Sequence, residues 1–151
     1  MNKPAQQPSL KGRALRLLSQ REHSRLELER KLAEHETEPG QLAKALDELQ
    51  ARGFISEERV IESVIHRRAG KLGTARVKQE LAAKGLSGEA VAAAMDSLRS
   101  TELERAREVW RRKFGEPATE AKEKARQIRF LVSRGFAAEV VRRVVQGANE
   151  H

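Results

Sequence analysis

Cysteine and tyrosine are absent from this chain of 151 residues, and aromatic residues make up only 3% of it. Without cysteine, neither a disulfide framework nor a thiolate-bound metal can form, and the absence fits a reducing compartment. Proline stands only at positions 4, 8, 39 and 117, so long stretches lack the residue that most readily breaks a helix. Long apolar runs are missing as well. The opening MNKPAQQPSLKGRA has no apolar core of a secretory signal, and no segment approaches the roughly 20 apolar residues of a membrane span. A soluble, cytoplasmic protein without membrane association is expected.

The material for catalysis is thin. The histidines, His23, His35, His66 and His151, include no pair spaced i, i+4, the arrangement that lets two imidazoles on one helix face share a metal. Asp47 and Asp96 are the only aspartates, and both fall late in a predicted helix, where exposure is the ordinary state. The segment AGKLGT, residues 69–74, has a superficial likeness to a phosphate loop. However, Leu72 follows Lys71 where Ser or Thr is needed, and the flanks read as helix, whereas that loop begins after a strand. A helix break with Thr74 capping the next helix is the better reading. No catalytic residue, metal site or cofactor is expected, and the chain reads as a non-enzyme.

What is abundant is helix-forming and basic. Ala, Leu, Glu, Arg, Lys and Gln dominate, all favourable in helices, and no stretch alternates as a strand would. The formal net charge is +8. Basic residues outnumber acidic ones 9 to 8 over residues 1–50, 9 to 6 over 51–100 and 12 to 8 over 101–151. A surplus that grows toward the C-terminus suits a polyanion or an acidic protein surface.

A repeat organises the chain. KGLSGEAVAAAMDSL at 84–98 aligns with RGFAAEVVRRVVQ at 134–146, so that Gly85 meets Gly135, Val91 meets Val141 and Met95 meets Val145. Leu32, Leu42, Leu46 and Leu49 align in turn with Leu81, Val91, Met95 and Leu98. Upstream of each pair, Ala14, Leu17 and Leu18 recur as Ile61, Val64 and Ile65, and again as Ala106, Val109 and Trp110. Each set has the i, i+3, i+4 spacing of one helix face.

Helices are therefore expected near 11–21, 24–35, 39–51, 57–69, 74–84, 88–98, 102–114, 118–133 and 137–147. They make an all-α, elongated and curved array of three tandem three-helix, helix-turn-helix-like repeats. The repeats cover 11–52, 53–99 and 100–147, with a flexible segment at 1–10 and a tail at 148–151.

Punctuation agrees with these bounds. Ser24 with Glu27 and Thr101 with Glu104 have the form of capping boxes. Gly53, Gly85, Gly115 and Gly135 stand where helices should end, and Ser56 and Ser87 can each cap the next helix. Arg52-Gly53-Phe54 imitates Arg134-Gly135-Phe136 but ends a third helix rather than a second.

Two basic clusters rise above the background. No acidic residue occurs from Ser63 to Gln79, where Arg67, Arg68, Lys71, Arg76 and Lys78 lie about a glycine-broken turn and can converge. Arg111, Arg112 and Lys113 then end one helix, and Arg126, Arg129 and Arg134 continue on the next. Guanidinium binds phosphate or carboxylate bidentately, although a helix dipole alone also favours cations at C-terminal ends. These eleven residues are the candidates for partner contact. Trp110 reads as core rather than a stacking surface, and no aromatic platform for single-strand recognition is evident among Phe54, Phe114, Phe130 and Phe136.

SRLELERKL at 24–32, GTARVKQELAAKGLS in the middle unit and VWRRKFG with QIRFLVSRGF in the last together resemble the RecX family of bacterial regulatory proteins, from about Ala14 to Gln146. Leu72 departs from the small or aromatic residue frequent at that turn in the family, and EHETEPGQ is more acidic than its usual linker. The resemblance implies a modulator that lodges in the groove of the RecA–DNA filament, and a monomer is expected. It would oppose filament growth and lower ATP hydrolysis, strand exchange and coprotease activity. It also implies contact with single- or double-stranded DNA. The alternative is a nonspecific DNA-binding helical-repeat protein acting through phosphate contacts.

Overall fold

A computed structural model describes residues 7–147; residues 1–6 and the expected tail at 148–151, with His151, lie outside the described residues. Every regular element among them is helical. The order is α1 Leu10–Gln20, α2 Arg25–Leu32 continued by a 3-10 turn at Ala33–His35, α3 Gln41–Ala51, α4 Glu57–Arg68, α5 Thr74–Ala83, α6 Glu89–Ser100, α7 Glu102–Lys113, α8 Ala121–Ser133 and α9 Ala138–Gly147. All nine expected helices are present, with ends displaced by at most three residues.

The helices are 8 to 13 residues long, a length that seldom persists alone in water. Their apolar stripes must be buried against one another, and the chain does this in two compact units, one ending at Val60 and the other beginning at Ile61. The first unit packs Leu10 and Ala14 of α1, Leu28 and Leu32 of α2, Leu42, Leu46 and Leu49 of α3, and Ile55 into one core. Each such leucine stabilises the fold by about 1.5–3 kcal/mol. In the second unit, Ala106 and Val109 of α7, Leu131 of α8, Phe136, and Val141, Val144 and Val145 of α9 form a cluster. Val77, Leu81, Leu86, Val91, Met95 and Leu98 are buried along α5 and α6.

The glycine stops behave alike. After α3, α5 and α8 the chain turns left-handed at Gly53, Gly85 and Gly135. The next amide then donates back to the last turn, Phe54 to Leu49, Leu86 to Leu81 and Phe136 to Leu131, which closes the helix. Burial separates the imitation from the repeat: Leu86 and Phe136 are buried, whereas Phe54 is 45% exposed.

The N-terminal caps agree only in part. Ser24 forms the complete capping box with Glu27, and Ser56 accepts from the amide of Arg59 at 3.3 Å. Thr101 does not cap. One residue separates α6 from α7 there, its backbone is already nearly helical, and its hydroxyl donates to Leu98 O while accepting from Arg105 Nε. Neither Ser87 nor Thr74 caps either, because Gly88 and Gly73 hold those positions and Thr74 is already inside α5. Before α8, Pro117 and its neighbours run on as an irregular linker held by Gln127, whose side-chain amide donates to Glu116 O. Accordingly α8 begins at Ala121 rather than near 118.

Candidate functional site

The second unit is organised about a carboxylate on an apolar stripe. Glu102 shares the buried face of α7 with Ala106 and Val109 and is only 5% exposed. Its Oε1 accepts from the Thr74 amide at 2.7 Å and its Oε2 from the Ala137 amide at 3.2 Å. The carboxylate thus joins the first turn of α5 to the entry of α9, where free amides and the helix dipole favour an anion. Burial pushes its pKa up. The Thr74 hydroxyl and amide, the Ala137 amide and the charge of Arg105 outweigh that, and the group is held below the usual carboxylate range.

One turn further along α7, Arg105 donates to the carbonyls of Ala69, Leu72 and Leu98 and to the Thr74 hydroxyl, at 2.7 to 3.2 Å. Burial draws its pKa below the ordinary guanidinium value, with Glu102 opposing. This cation collects the carbonyls of the turn after α4 and shares that of Leu98 with Thr101 at the end of α6.

Beside this pair two backbones meet. The Gly73 amide donates to Arg134 O at 2.8 Å, and a methyl group on Gly73 would fall on the Gly135 carbonyl. Arg76 reaches across the same approach to Ser133 O at 2.8 Å. An open hollow of about 530 Å³ adjoins it, lined by Arg76, Lys78, Gln79, Arg99, Val132 and Phe136, with Glu102 at its edge. Val132 is 48% exposed. A second hollow of about 360 Å³ along α5 and α6 shares Lys78 and Arg99 and adds Leu86, Val91, Met95 and Asp96, which pairs with Arg99 at 2.9 Å. The two present cations around apolar surface, chemistry suited to an anionic partner with hydrophobic groups.

The first basic cluster converges only in part. Arg76 and Lys78 line the larger hollow. Arg68 is half-buried and pairs with Glu80 at 3.3 Å, which makes it a support rather than a free contact. Arg67, Lys71 and Lys78 are exposed and have no ion pair among the described residues.

The second cluster divides. Arg111 and Arg112 both pair with Glu108, and Arg129 is exposed on α8. Lys113, Arg126 and Arg134 gather instead about two aromatic rings. Phe114 and Phe130 meet edge to face with centroids 5.5 Å apart. Lys113 lies 5.3 Å and Arg134 4.6 Å from the Phe130 centroid, and Arg126 lies 5.9 Å from that of Phe114. The packing of α7 on α8 thus unites rings sixteen positions apart, a pairing that the sequence pattern does not reveal. Trp110 packs on the core as expected and donates to Gln127 Oε1 at 3.0 Å.

Three residues of interest are not evident from the sequence pattern alone. Arg99 lies at the end of α6, far in sequence from both basic runs. Glu102 is hidden in an apparent capping box and Arg105 follows it, although a carboxylate in register with Ala106 and Val109 is a visible signal. Among the described residues no cluster of three or more His, Asp or Glu could hold a metal ion. Likewise no helix there is long and apolar enough to cross a membrane.

Known proteins match along most of the chain. Residues 11–49, 56–95 and 100–145 match the first, second and third three-helix domains of RecX respectively. The "Regulatory protein RecX" of Leptothrix cholodnii is 57% identical, covering 99% of this chain and 95% of its own. That of Ralstonia nicotianae is 47% identical over 97% and 92%. Among solved structures, RecX from Lactobacillus salivarius superposes with a TM-score of 0.74 at 17% identity, covering 94% and 96% of the two chains. A further RecX crystal structure gives 0.74 at 19% identity over 91% of this chain and 71% of that one.

Proposed function

This chain belongs to the RecX family of regulatory proteins, and from that premise we propose that it is a non-catalytic modulator of the RecA recombinase. On this reading it acts in the cytoplasm as a monomer. It binds in the groove of the RecA–DNA filament and opposes filament growth, ATP hydrolysis, strand exchange and coprotease activity. Its repeats run over 11–52, 53–99 and 100–147. Nonspecific contact with DNA phosphates supports the binding, and the acting residues are surface cations rather than a catalytic set.

The observation that carries the reading is the basic, apolar-floored hollow in the second unit. Lys78 stands there beside Val132 and Phe136, with Arg76, which also donates to Ser133 O, and Arg99, which is paired with Asp96 at 2.9 Å; the exposed Arg67 and Lys71 come from the same acid-free run as Arg76 and Lys78. Such a surface fits an acidic, partly apolar partner, as a protein filament on DNA would be.

The test is ATP hydrolysis by RecA preassembled on single-stranded DNA, titrated with this protein at two salt concentrations, with binding to naked DNA followed in parallel. Inhibition well below the concentration that coats naked DNA is expected. Inhibition only where the DNA is already coated would move the phosphate-binding reading to first place.

Variants locate the contact. Sequence alone would reverse Arg67, Arg68 and Lys71, but Arg68 supports Glu80, so Arg67→Glu, Lys71→Glu and Lys78→Glu are the better set. Together they are expected to weaken inhibition tenfold or more with the helical circular dichroism unchanged. Unaltered inhibition by the folded triple variant removes this run from the contact.

A further inference from the structure

The cations about Phe114 and Phe130 have a geometry that simple charge attraction does not require. Three of them, from two helices, stand over two half-buried rings within one cluster, with the Arg134 guanidinium 4.6 Å from the Phe130 centroid. Arg126 has a partial counterion in Glu123 at 3.4 Å, while its side chain remains 63% exposed. Like charges drawn together repel one another, and the electron-rich ring faces offset only part of that repulsion. A ligand that relieves it must bring several negative charges. One that also exploits the rings and guanidinium planes must bring flat π faces.

We infer that Lys113, Phe114, Arg126, Phe130 and Arg134 form a binding site for single-stranded nucleic acid, in which an unstacked base lies on the ring–guanidinium layers while neighbouring phosphates meet the remaining cations. Bases stack readily on phenylalanine and on arginine planes. In a duplex those base faces are already occupied, so the site discriminates by strandedness and not by sequence. Arg126 lies on α8 and Arg134 caps its C-terminal end eight positions later, about 12 Å along the axis, a reach of more than one nucleotide. An acidic protein surface would supply charge without flat faces and would leave the aromatic layer unused. The inference rests on the nucleic-acid contact of the proposed function and is independent of the recombinase.

The experiment measures binding of the full chain to labelled oligo(dA), to an abasic strand of the same length and to the corresponding duplex, at one moderate salt concentration. Phe114→Leu removes a ring and keeps apolar bulk; Arg134→Lys keeps the charge and removes the plane. The parent protein is expected to prefer oligo(dA) over the abasic strand, and each variant to lose about tenfold on oligo(dA) with little change on the abasic strand. Equal parental affinity for the two strands overturns the inference, as does an equal loss on both or a loss on neither. If no strand binds while RecA inhibition persists, only this inference falls. If the strands are discriminated but RecA is untouched, the inference stands and the recombinase reading fails.

Discussion

Glu102 takes the position in α7 that Leu10 occupies in α1, four residues before the aligned Ala106 and Ala14. An apolar side chain there would fill space, whereas the carboxylate ties two helix entries together. Glu102→Gln nearly preserves the volume but turns one acceptor into a donor facing an amide, so it should cost about 2 kcal/mol and lower the melting temperature by several degrees. The acid side of the stability profile checks the assignment. A carboxyl whose folded pKa is depressed contributes stability fully above its unfolded value of about 4.3, and that contribution is lost as pH falls through the folded value. Urea titrations between pH 7 and pH 3 should show Glu102→Gln converging on the parent at the acid end. A constant gap would assign the residue a purely steric role. The stripe of α7 makes this group visible in the sequence, but its two partners lie outside its own helix, beyond the reach of local pattern.

Among the elements, what joins helices matters more than what builds them. The Ser24 cap is local, and Ser24→Ala should cost about 1 kcal/mol. Gly73 is different. Its neighbour across the approach is backbone, which cannot swing aside, so Gly73→Ala should cost about 3 kcal/mol and act on the second unit. Urea denaturation of the two variants, with helical circular dichroism following both units and Trp110 fluorescence the second, would reveal the contrast; comparable losses would mean that the approach relaxes easily. The helices themselves are legible because each has a stripe of apolar residues that only a helix aligns. Their caps are less so. Thr101 has the right letters, but a junction one residue long leaves its backbone no room to act as a cap, and the linker at Pro117 delays α8 for a reason that lies in Gln127.

For the molecule as a whole, charge is the plainest message of composition, and its distribution the hardest part to read. Runs of basic letters prove to be mixtures: Arg68, Arg111 and Arg112 are bound to neighbouring carboxylates, Arg76 spends hydrogen bonds on Ser133, and Arg67, Lys71 and Lys78 remain free for a partner. Each phosphate contact contributes about 0.7 to the log–log slope of single-strand affinity against salt. Reversing Arg67, Lys71 and Lys78 together should therefore flatten that slope by about 2 if all three meet phosphate, as measured on an oligonucleotide across a salt series. An unchanged slope would leave them to the protein partner alone.

The ties within the second unit also set an order of events during synthesis. Thr74 waits for Glu102, 28 positions downstream, and Arg76 for Ser133, 57 positions downstream. In the first unit, Arg25 meets Asp47 and Glu22 meets Arg59, so its ties are complete once Arg59 has been made, before any part of α5 leaves the ribosome. The middle helices leave it with their amides and the Gly73 approach unanswered, and completion comes only with the loop before α9. A polypeptide released before that loop is made would carry a finished first unit and an unfinished second one, the kind of product on which chaperones and proteases act.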